Sequence, residues 1–343
     1  MKNLSLEVLL SQYTTFRIGG NAKYFISVES AEQLKEAVLF VQEKSLPFFV
    51  LGGGSNLLVS DDGFFGVVIK INIVGIEWKN VSDSSVEVLM GAGENWDDVV
   101  ALSVARDLAG FENLSGIPGT VGAAPVQNIG AYGSEIKDTL SFVEVFDTTK
   151  MTTKILRVED CAFGYRDSVF KTGEGKKYIV VRVCCVLQKN AKPNISYKDV
   201  SAFFAKNNIA QPSVRDVRNA VLEIRRAKLP DLNVYGTAGS FFKNPVVSQE
   251  IFLSLKEKFP LVVSFDAGEG QRKISTAWIL DNICKFKGHR VGGVGVYQNQ
   301  SLVLVNFGGG TSKEIINLAS EMKECVKKNT GIDLTEEVVM LGF

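Results

Sequence analysis

Residues 116–133 read GIPGTVGAAPVQNIGAYG, and the rest of the chain has to be organised around them. Five glycines, two prolines and three alanines stand there without one charged side chain. Such a segment forms neither a regular helix nor a central strand, because glycine is entropically costly in both and proline lacks a donor. It is neither polar nor repetitive, so it does not read as a disordered linker. An ordered loop of this length inside a compact protein usually serves a ligand. Small side chains let a flat or charged group approach the backbone, whose N–H groups cradle oxygens. The plain alternative is a glycine-rich turn joining two domains.

A second cluster, GGGSN at 52–56, follows a buried strand expected over 48–51. Another strand, 67–71, comes next instead of a helix, which argues against a Rossmann fingerprint. The turn therefore reads either as an anion-binding nest for a diphosphate or as a plain hairpin-like turn. Upstream, Ser30 and Gln33 form a capping-box pattern ahead of Leu34, Ala37, Val38 and Val41, which share one helical face. Beyond residue 73 the pattern gives a strand over 86–90, a helix over 96–108 closed by Gly110, the long loop, and strands over 141–146, 154–158 and 178–187. Ser213 caps a helix with Val214, Val217, Val221 and Ile224 on one face, ended by Pro230. Residues 246–330 look like a separate α/β unit. Helical patterns there follow Ser248 and cover 274–282, a strand runs through 302–306, and a Thr311–Glu314 capping box opens a helix to about residue 329.

Lys and Arg total 38, as do Asp and Glu, so the net charge is zero and no basic footprint for nucleic acid exists. An anionic ligand must then be held by a local cluster. The apolar run in MKNLSLEVLL is too short for a signal peptide, and nowhere do eighteen apolar residues run together as a membrane span requires. Five cysteines, odd in number and without CxxC spacing, are expected to be reduced structural thiols of a cytoplasmic protein. His289 is the one histidine, so no His-rich metal site and no Ser/His or Cys/His relay is expected. Proton chemistry must fall to Ser, Tyr, Lys or carboxylates.

Five strings share a pattern: PGTVG with PVQNIGAYG in the central loop, TTFRIGGNAKYF at 14–25, YRDS at 165–168, KLPD at 228–231 and GSFFKNP at 239–245. They resemble the motifs of the UDP-N-acetylenolpyruvoylglucosamine reductase family, along nearly the full chain. The resemblance implies an α+β fold, with a two-part FAD-binding domain of the vanillyl-alcohol-oxidase type plus a separate α/β substrate domain. The expected parts are 1–72, 73–229 with a terminal strand 331–343 returning to it, and 230–330. FAD would be held non-covalently by Gly52, Gly53, Gly54, Ser55 and Asn56. From the central loop the resemblance adds Gly116, Pro118, Gly119, Thr120, Gly122, Ala123, Gln127, Asn128, Gly130, Ala131 and Tyr132.

The catalytic residues it implies are Arg166, Ser240 and Glu337. By themselves, Arg166 beside Asp167 reads equally as a local ion pair, and Ser240 after Gly239 as a turn residue. Glu336 and Glu337 lie on a terminal strand where alternation lets only one face a site. Substrate contacts would be Tyr197, Arg225, Lys228, Asn244, Lys287 and Gln300, although cations near a helix C-terminus are favoured by its dipole anyway. The implied reaction uses NADPH and FAD to reduce UDP-N-acetylglucosamine enolpyruvate to UDP-N-acetylmuramate, a bacterial cell-wall precursor. The protein would be a cytoplasmic monomer without nucleic-acid or membrane partners.

Phe265 and Val339 depart from the tyrosine and arginine that relatives often carry, and an extra residue sits within ILDNICKFKG before Lys287. Two other readings compete. A flavin-dependent alcohol oxidase would share the FAD fold but leave GSFFKNP unexplained. A redox-silent nucleotide-sugar regulator would have no reason to keep Arg166, Ser240 and Glu337 together.

Overall fold

Local chemistry sets the helix starts. In the computed structural model, which describes residues 3–171 and 173–343, α1 (Ala31–Lys44) begins where the Ser30 side chain accepts from the Gln33 N–H. Gln33 returns its own side chain to the N–H of Glu29, one residue earlier than a reciprocal box would require. Leu34, Ala37, Val38 and Val41 are buried as their spacing predicts. α2 (Trp96–Ala105) is capped by Asn95 and stops short of the expected residue 108. Leu108 and Ala109 are drawn off as a short strand pairing with Lys189 and Gln188, and sheet pairing wins over helix continuation.

Chain contacts divide the molecule into two units. The first holds Ala22–Gly53 and Phe65–Arg226 with the N-terminal residues. One of its sheets orders the strands Leu4–Leu9, Asn21–Val28, Phe64–Ile71 and Phe48–Leu51, the last two parallel with Leu51 opposite Lys70. The other is antiparallel and orders Thr152–Arg157, Leu140–Asp147, Tyr178–Lys189, Ser85–Gly91 and Ile76–Asn80. Its apolar faces and α1 and α2 supply one continuous core. α3 (Lys198–Lys206) and α4 (Val214–Lys228) add a smaller cluster of Val200, Phe204, Val217, Ala220 and Val221.

The second unit holds Leu9–Asn21, Gly54–Phe64 and Ala227–Phe343. It contains α5 (Gln249–Lys258), α6 (Thr276–Asn282) and α7 (Ser312–Thr330). The Thr311–Glu314 box at the start of α7 is reciprocal, and Gly331 ends the helix in left-handed geometry. Two three-stranded sheets pack on these helices.

Two expectations are corrected here. The terminal strand Val339–Leu341, expected to return to residues 73–229, pairs instead in parallel with Leu57–Val59 inside the second unit. The reason is burial: Val338, Phe16, Ile18 and Leu58 share one core with residues of α6 and α7. The cysteines are also not all reduced, because Cys284 and Cys325 form a disulfide. Folding brings together two residues 41 apart that no spacing rule connects. Cys161, Cys184 and Cys185 are free and buried, and burial pushes all three thiols up, the first two to about 12.

Candidate active site

In the first unit the two glycine clusters meet backbone to backbone. A side chain on Gly53 would place its Cβ 2.7 Å from the Gly119 Cα, and one on Gly52 would meet the Thr120 hydroxyl at 2.7 Å. A floor free of side chains results, with the chemistry expected of a phosphate cradle. The loop itself is no featureless coil. Short 3-10 turns at Val121–Ala123 and Pro125–Gln127 precede a tight hairpin, Gly130–Ala131 against Ser134–Glu135. Main-chain bonds tie its first half to residues 92–96: Trp96 N–H to Gly119 at 3.1 Å, Val121 N–H to Glu94 at 2.9 Å and Gly122 N–H to Ala92 at 2.9 Å. The side chains of Pro118, Ala123 and Gln127 are partly to fully exposed, whereas Asn128 is buried with φ +46°.

Polar side chains from elsewhere in this unit fasten the loop's ends. The Asp97 carboxylate accepts the Gly116 N–H at 2.6 Å and both Arg218 guanidinium nitrogens at 2.7 and 2.9 Å. Burial alone would raise the Asp97 pKa. The bonds from Arg218 and Gly116 and the nearby guanidinium charges outweigh that and hold it below the usual range. Asn113 donates to the carbonyls of Tyr132 and Asn194, both at 2.9 Å. Sequence reasoning missed Asp97, Asn113 and Arg218. Asp97 was visible only as a helix-start residue, and nothing local to Asn113 or Arg218 marks them.

The YRDS turn is stitched to the same loop. Arg166, at φ +53°, donates to the Gly130 carbonyl at 2.9 Å. Ser168 donates to the Val126 carbonyl at 2.5 Å, and Asn128 donates to the Gly164 carbonyl at 3.1 Å. Tyr197, the residue before α3, packs edge-on against Tyr132 with ring centroids 5.4 Å apart. Burial raises the pKa of both phenols. Arg225 is also here. It hydrogen-bonds Tyr132, and desolvation lowers its pKa against the opposing pull of Tyr132 and Asp97. It lies against the central loop, where a Cβ on Gly116 would touch its Nε at 3.0 Å.

The second unit collects Ser240, Glu337 and Asn56. The Glu337 N–H donates to the Phe241 carbonyl at 2.8 Å, and Phe242 bridges Glu336. The loop carrying Ser240 and the segment carrying Glu337 are thus neighbouring strands in all but length. The Glu336 carboxylate pairs with Lys323 at 2.7 Å. Asn56 donates to the Glu337 carbonyl at 3.1 Å, and its own carbonyl accepts the Val339 N–H. Ser240 bridges Val303, while Phe241 and Phe242 beside it are fully buried and stack edge-on. Gly239, at φ +76°, turns the chain where a side chain would be strained.

The remaining expected contacts also belong to this unit. Asn244 accepts the Thr276 N–H at 3.0 Å and so anchors α6. Gln300 closes a turn from Tyr297, and neighbouring Asn299 donates to the Ala227 carbonyl, which sets that turn beside Lys228. Lys287 reaches Asp281 at 3.5 Å and is half exposed. Phe265 is exposed on a strand opposite Lys273, and Val339 opposite Leu57. Among the described residues no cluster of His, Cys, Asp and Glu could hold a metal, and no helix is long and apolar enough to cross a membrane.

Comparison with known proteins agrees with this architecture. Residues 22–155 match the FAD binding domain model, and residues 231–341 match the UDP-N-acetylenolpyruvoylglucosamine reductase C-terminal domain model. The chain is 42% identical to the UDP-N-acetylenolpyruvoylglucosamine reductase of Flavobacterium johnsoniae over 96% of its length and 97% of that protein. With the enzyme of Ralstonia nicotianae it shares 40% identity, over 97% of each. The crystal structure of UDP-N-acetylenolpyruvylglucosamine reductase from Thermus caldophilus superposes with a TM-score of 0.70 at 26% identity, covering 98% of this chain and 99% of that one. The fold is therefore α+β, with an FAD-binding domain of the vanillyl-alcohol-oxidase type, and the glycine floor fits the cofactor which that domain takes. On identity that spans nearly the whole chain, it belongs to the UDP-N-acetylenolpyruvoylglucosamine reductase family.

Proposed function

We propose that this protein reduces the enolpyruvyl group of UDP-N-acetylglucosamine enolpyruvate to the lactyl ether of UDP-N-acetylmuramate, a step in peptidoglycan precursor synthesis, consuming NADPH. Bound FAD supplies the hydride chemistry that no side chain offers. The observation that carries the reading is the bond from Glu337 N–H to the Phe241 carbonyl, which joins the Ser240 loop to the Glu337 segment within a chain of this family.

One hydride and one proton add across the substrate's C=C bond. Hydride arrival at the β-carbon leaves negative charge on the α-carbon and its carboxylate. Arg166 offers fixed donors to that charge, and Glu337 in its protonated form adds a hydrogen bond. Ser240 then gives its proton to the α-carbon. A hydroxyl is a weak acid in water, yet an enolate-like carbon is a strong enough base to take its proton. No histidine is needed, in keeping with a chain that has only His289. Lys228, with Asn244, Gln300 and Lys287, holds the substrate's diphosphate, Lys287 sharing its charge with Asp281. Tyr197 covers the substrate, and the cytoplasmic, monomeric state belongs to the same proposal.

The absorption spectrum of the purified protein tests this directly. A flavin spectrum that bleaches on anaerobic NADPH addition and returns with the enolpyruvyl substrate is expected. A protein that binds no flavin, or whose bleached flavin ignores the substrate, overturns the reading.

A further inference from the structure

Beneath the first glycine turn lies a cation that the chemistry above does not use. Lys70 sits near the end of the strand Phe64–Ile71, where Val67, Val68, Ile69 and Ile71 are all buried. Its ammonium donates to the Gly52 carbonyl at 2.9 Å and to the Ile71 carbonyl at 3.4 Å. Among the described residues no carboxylate pairs with it, and desolvation lowers its pKa. A partly buried ammonium held only by neutral carbonyls keeps much of its desolvation cost, so such groups ordinarily come with an anion.

The peptide it binds gives a direction for that anion. In a trans peptide the C=O of one residue and the N–H of the next point opposite ways. With the Gly52 carbonyl turned onto Lys70, the Gly53 N–H faces away from the strand, and among the described residues no main-chain carbonyl takes it. Gly53 is also the residue packed on Gly119 in the side-chain-free floor. The ammonium and the outward N–H are therefore two ends of one polarised peptide, positive on the side where a phosphate oxygen would approach.

We propose that Lys70 is a positioning residue for the cofactor's diphosphate: its ammonium fixes the Gly52–Gly53 peptide so that the Gly53 N–H is presented to the anion, and its charge is balanced when that anion binds. This inference rests on the FAD reading given under Proposed function.

The test compares FAD with riboflavin, which has the same ring system and no phosphate, titrated into flavin-free full-length protein by fluorescence. Lys70→Met weakens FAD about tenfold or more and flattens the salt dependence of its Kd, while riboflavin affinity and the Tm of the flavin-free protein do not fall. Lys70→Arg stays close to wild type. Equal losses for FAD and riboflavin, or an unchanged FAD Kd, overturn the inference. If Lys70→Met fails to fold, Lys70→Gln, which keeps a neutral donor to Gly52, makes the same comparison. Wild-type protein that binds no FAD sinks the underlying reading, whereas tight wild-type binding with an indifferent variant sinks only the role of Lys70.

Discussion

Two glycine-rich loops of similar composition, 116–133 and 236–245, are held in place by different means. Beside the main-chain bonds to residues 92–96, polar side chains from outside tie the first at its ends and middle: Asp97 to Gly116, Ser168 to Val126, Arg166 to Gly130, Asn113 to Tyr132 and Asn194 to Gly133. The second is held mainly by main-chain bonds, Gly236 with Asn306, Thr237 with Thr15, Phe241 with Leu302 and Glu337, and Lys243 with Thr335. Two buried phenylalanines nail it to the core. A loop tied by side chains puts its stability at the mercy of single substitutions. One tied by backbone leaves its side chains available for chemistry. Composition does not distinguish the two; the identity of the partners does.

The sharpest expected consequence falls on Ser240. Because main-chain bonds hold its loop, Ser240→Ala leaves unfolding within about 0.5 kcal/mol of wild type while slowing recolouring of the reduced flavin by substrate about 10²–10⁴-fold. Bleaching by NADPH is unaffected, since it involves no proton delivery to carbon. Stopped-flow traces read the steps separately, and recolouring at the wild-type rate, or a slowed bleaching step, breaks the contrast.

Next in size is the covalent tie within the second unit. Chain-entropy accounting for a loop of this length gives about 4 kcal/mol. Reduction with dithiothreitol is therefore expected to lower stability by up to that amount, and Cys325→Ser to lose the response. Identical melting curves with and without reductant would remove the disulfide from the account.

The smallest effect concerns the first loop and carries a pH signature. Removing the charge in Asp97→Asn leaves the Arg218 guanidinium, only 15% exposed, without its anion. The expected cost is about 1–3 kcal/mol at pH 7, toward the lower end because the Asp97 side chain is 31% exposed. Since the folded pKa of Asp97 lies below its unfolded value, the stabilisation is fully present above about pH 4 and disappears as pH falls through the folded pKa. Urea unfolding of both proteins should show the gap at pH 7 closing in acid. A gap that persists there would assign the loss to packing.

Much of this was legible from neighbouring residues alone. The start of α1 at Ser30, the boxed start of α7 at Thr311, the strand before GGGSN and the buried faces of α1 and α4 are contests settled within about four residues, by hydrogen bonds and periodicity that the sequence itself displays. The two glycine clusters were legible for the same reason, because glycine's permissiveness belongs to the residue. What only the tertiary structure decided involves partners far apart in the chain. Val339–Leu341 pairs with Leu57–Val59, Cys284 meets Cys325, Lys323 pairs with Glu336, the Glu337 N–H meets the Phe241 carbonyl, and Asp97 chooses Arg218 over 121 residues of separation. These choices are made when apolar surfaces are buried and polar groups must find partners in whatever the core has brought near. No spacing rule in a single sequence encodes that.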